Sequence, residues 1–281
     1  MVRGIVPRQP SKAGRHEGVK LARHAEVRGA SREPKNRKGG AGQFPGTRTK
    51  PEKTTARYDP VAPERVAELL KRLDATYPGV TCALTHRDAW ELLVATILSA
   101  QSTDVRVNMV TPELFKKYPT VRDFAALKPE ELEADVRSTG FFRNKSKSVV
   151  GAAKKIVNEF GGKVPDEMDA LLTLPGVARK TANVVLGTWF GKPEGVVVDT
   201  HVQRVARRLE LTAETDPAKI EQDLMRVIPR ERWILFAHQL IWHGRRLCAA
   251  RLPKCADCPL ENICHAADKT WSTVDVHKNA K

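Results

Sequence analysis

Four of the five cysteines stand within 17 residues, at Cys248, Cys255, Cys258 and Cys264, spaced C-x6-C-x2-C-x5-C. Four thiolates so close in sequence can close around one centre. Zinc takes four cysteines in a tetrahedron, and a cubane iron–sulfur cluster takes four as well. Spacing alone leaves both open, although zinc fingers more often repeat C-x2-C pairs. Arg251 and Lys254 lie between the first two cysteines. A loop tied at both ends would present these cations rigidly, as contact with a phosphate backbone requires. A second stretch, Leu174-Pro175-Gly176-Val177-Ala178-Arg179-Lys180-Thr181-Ala182, reads as a tight turn feeding a helix. Such a start leaves several backbone N–H groups unpaired at the positive end of the helix dipole, which is a place for an anion. Lys180 serves there either as a phosphate clamp or as an amine nucleophile; the second role needs desolvation or a neighbouring cation such as Arg179 to loosen its proton. Asp199, just before Thr200-His201, reads as a helix cap.

These groups need elements to hold them, and the apolar periodicity supplies helices. Val66, Leu69, Leu70, Leu73 and Tyr77 follow helical spacing after Pro63. Trp90, Leu93, Val94, Ile97 and Leu98 do so after Asp88, a cap candidate. That second helix ends in the polar run Ser99-Ala100-Gln101-Ser102-Thr103-Asp104, and another is expected from Val105 to Tyr118. Lys145 to Phe160 forms a long amphipathic helix ended by Gly161-Gly162, and Asp166 to Leu174 a short one leading into the turn. Val196-Val197-Val198 is expected as an extended lead-in, not a strand, since nothing nearby offers a pairing partner. Helices follow over 200–209, 216–228 and 230–244, and the fold class is all-α. Cys82 is expected as a buried small hydrophobe.

The 281 residues suffice for one or two compact domains. No apolar run approaches the roughly 18–20 residues of a membrane helix. The N-terminus has no apolar secretory core, so a cytoplasmic or nucleoid-associated protein is expected. In that setting clustered cysteines favour a metal or cluster site over disulfides. Net charge is +15; residues 1–57 hold 15 Lys/Arg against 4 Glu, and the remainder 33 against 29. Low in aliphatics and rich in Gly, Pro, Arg and Lys, residues 1–57 are expected to be disordered. Their charge suits a polyanionic partner.

Four motifs occur together: Leu-Pro-Gly-Val-x-Arg-Lys-Thr-Ala at 174–182, Val-Asp-Thr-His-Val at 198–202, Leu-Ser-Ala-Gln-x-Thr-Asp at 98–104, and the cysteine spacing at 248–264. In combination, over about residues 60–268, the chain resembles the endonuclease III family, the bifunctional DNA glycosylase/lyases of the helix-hairpin-helix superfamily. The resemblance implies a two-domain fold. A helical-bundle domain at 83–194 would hold the hairpin, a second domain of 58–82 and 195–270 would carry a C-terminal iron–sulfur loop, and 271–281 would be a flexible tail. It implies Lys180 as the nucleophile, Asp199 as the catalytic carboxylate, and one [4Fe-4S] cluster on Cys248, Cys255, Cys258 and Cys264. Gly176, Ala178 and Arg179 would hold a DNA phosphate, Arg251 and Lys254 would contact phosphate from the cluster loop, and Gln101 would enter the gap left by a flipped nucleotide. Ser99 and Asp104 would bond the loop or the pocket, Asn144 and Lys145 would face DNA, and His201 would be structural. One position departs from the family, which more often has Gly where this chain has Ala178; this matters only if the site needs a positive φ. The implied partner is duplex DNA with oxidised pyrimidines or abasic sites, bound by a monomer with no membrane partner. An adenine glycosylase of the same superfamily is the nearest rival, and that branch usually lacks the lysine at the position of Lys180.

Overall fold

Pro63 opens the first helix, at a position where its missing N–H costs nothing. This is α1 (Pro63–Thr76), and its stripe of Val66, Leu69, Leu70 and Leu73 is buried. The computed structural model describes residues 58–273; the basic segment 1–57 and residues 274–281 lie outside them. Among the described residues there are α-helices and short 3-10 turns, and no strand. No helix there is long and apolar enough to cross a membrane.

The first core is organised on α2 (Ala89–Ser99), buried continuously from Ala89 to Leu98. A helix that is apolar on every side belongs at the centre of a core. Asp88 caps it, accepting from Glu91 N at 2.8 Å. Three helices pack directly on α2: α3 (Asp104–Lys117), α6 (Phe142–Glu159) and α8 (Arg179–Thr188). The helices α4 (Val121–Ala126) and α5 (Pro129–Val136) lie on α6, and α7 (Met168–Leu172) on α8. Leu92, Leu93, Phe124, Leu132, Ile156 and Leu186 fill the space between them.

A second core joins α1 to α9 (Thr200–Arg208), α10 (Pro217–Val227) and α11 (Trp233–Arg246). Leu69, Leu73, Val202, Ile220, Phe236 and Leu240 are fully buried in it. Cys248, Cys258 and Cys264 pack on its edge. The first core is thus one contiguous stretch of chain, whereas the second needs both ends of the described region.

Several boundaries move from where periodicity puts them. The helix expected from Lys145 begins at Phe142, because Gly140 (φ 72°) and Phe141 (φ 46°) turn the chain through the left-handed region first. The short helix expected over 166–174 shrinks to Met168–Leu172; the Asp166 carboxylate is engaged with Lys192 Nζ at 2.6 Å. Arg230–Arg232 is a 3-10 turn that precedes α11. Lys145 does not face outward as expected. It is 5% exposed, and its Nζ donates to Thr139 O at 2.7 Å, which braces the turn before α6; burial lowers its proton affinity. Asn144 beside it is exposed. Val196–Val198 belongs to no strand or helix, in line with the sequence, and Cys82 is half-buried against the first core.

Candidate active site and cysteine centre

The hairpin is set by Gly176, whose φ is +76°. A Cβ there would lie 2.5 Å from Ser148 Cβ on α6, so only glycine lets the turn seat against that helix. Val177 N donates to Leu174 O at 3.1 Å and closes the turn. Ala178 follows at φ −97° and ψ 170°, extended backbone that any residue adopts. Alanine in place of the usual glycine therefore introduces no strain. No side chain caps α8, and Ala178, Arg179 and Lys180 are all exposed. The first N–H groups of this helix are left for an anion or solvent.

Lys180 and Asp199 line one cleft of about 90 Å3, together with Ser99, Asp104, His238 and Arg245. The two come from different helix starts, Lys180 in the first turn of α8 and Asp199 as the cap of α9. Asp199 Oδ1 accepts from His201 N and from Val202 N, each at 2.8 Å. Both capping bonds use the same oxygen, so the cap does not consume Oδ2. The cap and carboxylate readings are therefore compatible in one residue. Arg245 Nη2 donates to Asp104 Oδ2 at 2.5 Å, so Asp104 is tied across the cleft to α11. Ser99 Oγ donates locally to Thr96 O at 2.8 Å. Burial, with Arg245 adding to it, pushes the His238 imidazole down to about 4, which leaves it neutral near pH 7. Gln101 is exposed at the tip of the α2–α3 connection with φ 53°. Left-handed backbone at a non-glycine residue is strained and concentrates at functional sites.

Beyond α11 the four cysteines line a single cavity of about 30 Å3, walled by Val205, Leu209, Leu247 and Leu260. Among the described residues no three Cys, His, Asp or Glu side chains converge as one metal ion requires. Four cysteines around one cavity with apolar walls supply the thiolate set that a four-cysteine centre takes. Arg208 Nη1 donates to Cys248 Sγ at 3.2 Å and supplies a compensating positive charge. Burial raises the Cys264 thiol and pushes Cys258 up to about 12, so binding a centre here must release protons. The loop is held from outside. Lys269 Nζ, 3% exposed, donates to Glu261 Oε1 at 2.5 Å and to Cys264 O at 3.2 Å. Thr273, in the segment expected as a flexible tail, donates from N to Glu261 Oε1 at 2.8 Å.

The remaining residues singled out by sequence are dispersed. Arg251 and Lys254 are exposed on the cysteine loop, on either side of Leu252, whose φ is 50°. Arg179 does not stand free at the hairpin; its Nε donates to Glu221 Oε2 at 2.9 Å. His201 Nδ1 lies 3.2 Å from Arg204 Nη2. Sequence reasoning missed His238 and Arg245. Both lie on α11 amid an apolar pattern that reads only as a buried helix, and nothing local marks them.

Residues 94–230 match the model of the HhH-GPD superfamily base excision DNA repair protein. Endonuclease III of Synechocystis sp. is 54% identical over 204 residues, spanning 73% of this chain and 93% of the relative. Endonuclease III of Bacillus subtilis is 44% identical, spanning 71% and 91%. A solved trapped endonuclease III–DNA covalent intermediate superposes with a TM-score of 0.69 at 41% identity, covering 73% of this chain and 96% of that one. A non-covalent endonuclease III–DNA complex matches with the same TM-score at 42% identity, covering 73% and 95%.

Proposed function

The chain belongs to the endonuclease III family of HhH-GPD base excision DNA repair proteins, and from that premise we propose that it removes oxidised pyrimidines from duplex DNA and then cleaves 3′ to the abasic site. In this reading the Lys180 amine attacks C1′ of the damaged nucleotide as the base departs with its electron pair. Loss of an amine proton and opening of the sugar ring, in which the C1′–O4′ bond breaks and O4′ takes up a proton, give a protonated imine at C1′. The imine acidifies C2′, and removal of a C2′ proton expels the 3′ phosphate by β-elimination. Asp199 stabilises positive charge developing on the sugar and assists deprotonation of the amine. The observation that carries this reading is the shared cleft: an exposed amine and a carboxylate with one oxygen outside its cap line the same opening.

The other parts follow from chemistry already described. The uncapped start of α8 and the Gly176 turn hold a DNA phosphate without reading sequence. Arg251 and Lys254 add phosphate contacts, and Gln101 supports the stack opened by the flipped nucleotide. Cys248, Cys255, Cys258 and Cys264 would hold one [4Fe-4S] cluster, which when bound cross-links the C-terminal loop. The two separate cores support a two-domain division, 83–194 against 58–82 with 195–270. We place the protein in the cytoplasm at the nucleoid, acting as a monomer.

The test is borohydride added during reaction with a thymine-glycol duplex. A covalent protein–DNA species is expected from the wild-type chain, and Lys180→Gln should bind the duplex yet neither trap nor nick it. Absence of a trapped wild-type species refutes the imine. The purified protein should carry about four iron atoms per chain; stoichiometric zinc without iron would refute the cluster.

A further inference from the structure

Glu221 is a buried carboxylate, 7% exposed, on α10 in the second core. Its two oxygens are divided between two residues of α8. Oε2 accepts from Arg179 Nε at 2.9 Å, and Oε1 accepts from Asn183 Nδ2 at 2.8 Å. Arg179 and Asn183 are four residues apart, hence on one face of α8, and Lys180 follows Arg179 directly. Asn183 is itself 4% exposed. A carboxylate with both oxygens occupied by donors on a single helix face fixes that helix in azimuth as well as in distance.

A third strand of chain enters the same contact. Gly195 lies in the connection from α8 to Asp199, and a Cβ on it would stand 2.0 Å from Glu221 Oε1 and 2.7 Å from Asn183 Nδ2. No side chain fits. The connection is gripped on its other side by Arg230, whose Nε donates to Pro193 O at 3.1 Å and whose Nη2 pairs with Glu194 Oε1 at 3.3 Å. Glu221 therefore touches the helix that carries Lys180 and the backbone that leads to Asp199. The cleft itself has no direct bond of this kind between its two chemical groups.

We propose that Glu221 is a positioning residue for the excision reaction: by holding Arg179 and Asn183 against the Gly195 backbone, it sets the separation and angle of Lys180 relative to Asp199. This rests on the functional reading above. It also gives Arg179 a task other than phosphate binding. Its guanidinium is drawn toward α10, and Lys180 is left as the α8 cation that lines the cleft.

The test separates placement from binding. Full-length Glu221→Ala, Glu221→Gln and Gly195→Ala are compared with wild type in single-turnover borohydride trapping on a preformed abasic duplex. Affinity is measured separately on a duplex with a tetrahydrofuran abasic analogue, which cannot form the imine. A misplacement of about 1 Å costs on the order of a hundredfold in rate. Glu221→Ala should lose about that in trapping rate with tetrahydrofuran affinity unchanged. Glu221→Gln keeps one acceptor and should recover part of the loss. Gly195→Ala keeps the charge but displaces the carboxylate, so it should resemble Glu221→Ala. Should Glu221→Ala fail to fold, the Gln and Gly195 variants carry the test. Wild-type trapping rates in the variants, or a loss of affinity equal to the loss of rate, would overturn the proposal. Failure of the wild-type chain to trap would instead remove the functional reading on which it rests.

Discussion

Gly176→Ala is the perturbation whose size the structure fixes best. At φ +76° an alanine meets its own backbone in the left-handed region, at about 1–2 kcal/mol. The added Cβ also lies 2.5 Å from Ser148 Cβ and 2.6 Å from Ser148 Oγ. Both atoms belong to a short side chain near the middle of α6, which has no flexible end to swing away. Overpacking of this kind costs about 1–3 kcal/mol. The two terms are independent in origin, so the expected loss is about 2–5 kcal/mol, read from equilibrium urea unfolding at unchanged slope. A second variant separates them. Ser148→Gly removes the obstructing atoms and by itself costs about 1 kcal/mol as a mid-helix glycine. In the double variant the steric part should disappear, leaving a favourable coupling of about 1–3 kcal/mol. Additivity within about 0.5 kcal/mol would mean that the turn does not seat on α6 as described. Duplex affinity should fall in Gly176→Ala and recover partly in the double variant, because the N–H groups that meet the phosphate hang from this turn.

Two further outcomes are expected. Asp199→Asn keeps an equally good cap, so stability should hold while excision falls by about a hundredfold or more; Asp199→Ala should also lose about 1 kcal/mol of stability, and an active Asp199→Asn would refute the carboxylate role. His238 is held by burial at about 4, below its ordinary 6.5, so its contribution to stability is complete above pH 6.5 and is lost as pH falls toward 4; His238→Gln should flatten the pH dependence of unfolding across that window, and an unchanged slope would contradict the buried neutral imidazole.

Much of this molecule is legible along the chain, and the division follows interaction range. The stripe Val66, Leu69, Leu70 and Leu73 and the caps Asp88 and Asp199 are local patterns, and each sits in the structure where its spacing puts it. Local signals also explain why Val196–Val198 belongs to no strand. What sequence cannot display is the partner that arrives from far away. Arg179 looks like a free cation at a helix start until Glu221, 42 positions on, takes its Nε. Lys145 looks like a surface lysine although its partner, Thr139 O, stands only six residues back, because the intervening Gly140-Phe141 turn has no helical period to show it. Asp104 reads as a local turn residue until Arg245 reaches it from α11. Of these pairs, Asp104 and Arg245 line the cleft itself, and Glu221 braces the helix that carries Lys180 into it. The cleft's chemical groups are therefore visible in the sequence, and the residues that aim them are not.

The unequal make-up of the two cores has a consequence in time. The first is one continuous stretch from Leu84 to Leu186, and it can close as soon as that stretch has left the ribosome. The second cannot, because α1 is made first and its partner α11 nearly last. At about 5–20 residues per second, the interval between Thr76 and Trp233 lasts on the order of ten seconds. Throughout it the stripe of Val66, Leu69, Leu70 and Leu73 lacks the α11 surface that completes its cover. Among the described helices the first to be made is thus among the last to be fully covered, and meanwhile its apolar stripe is open to chaperones and to neighbouring chains.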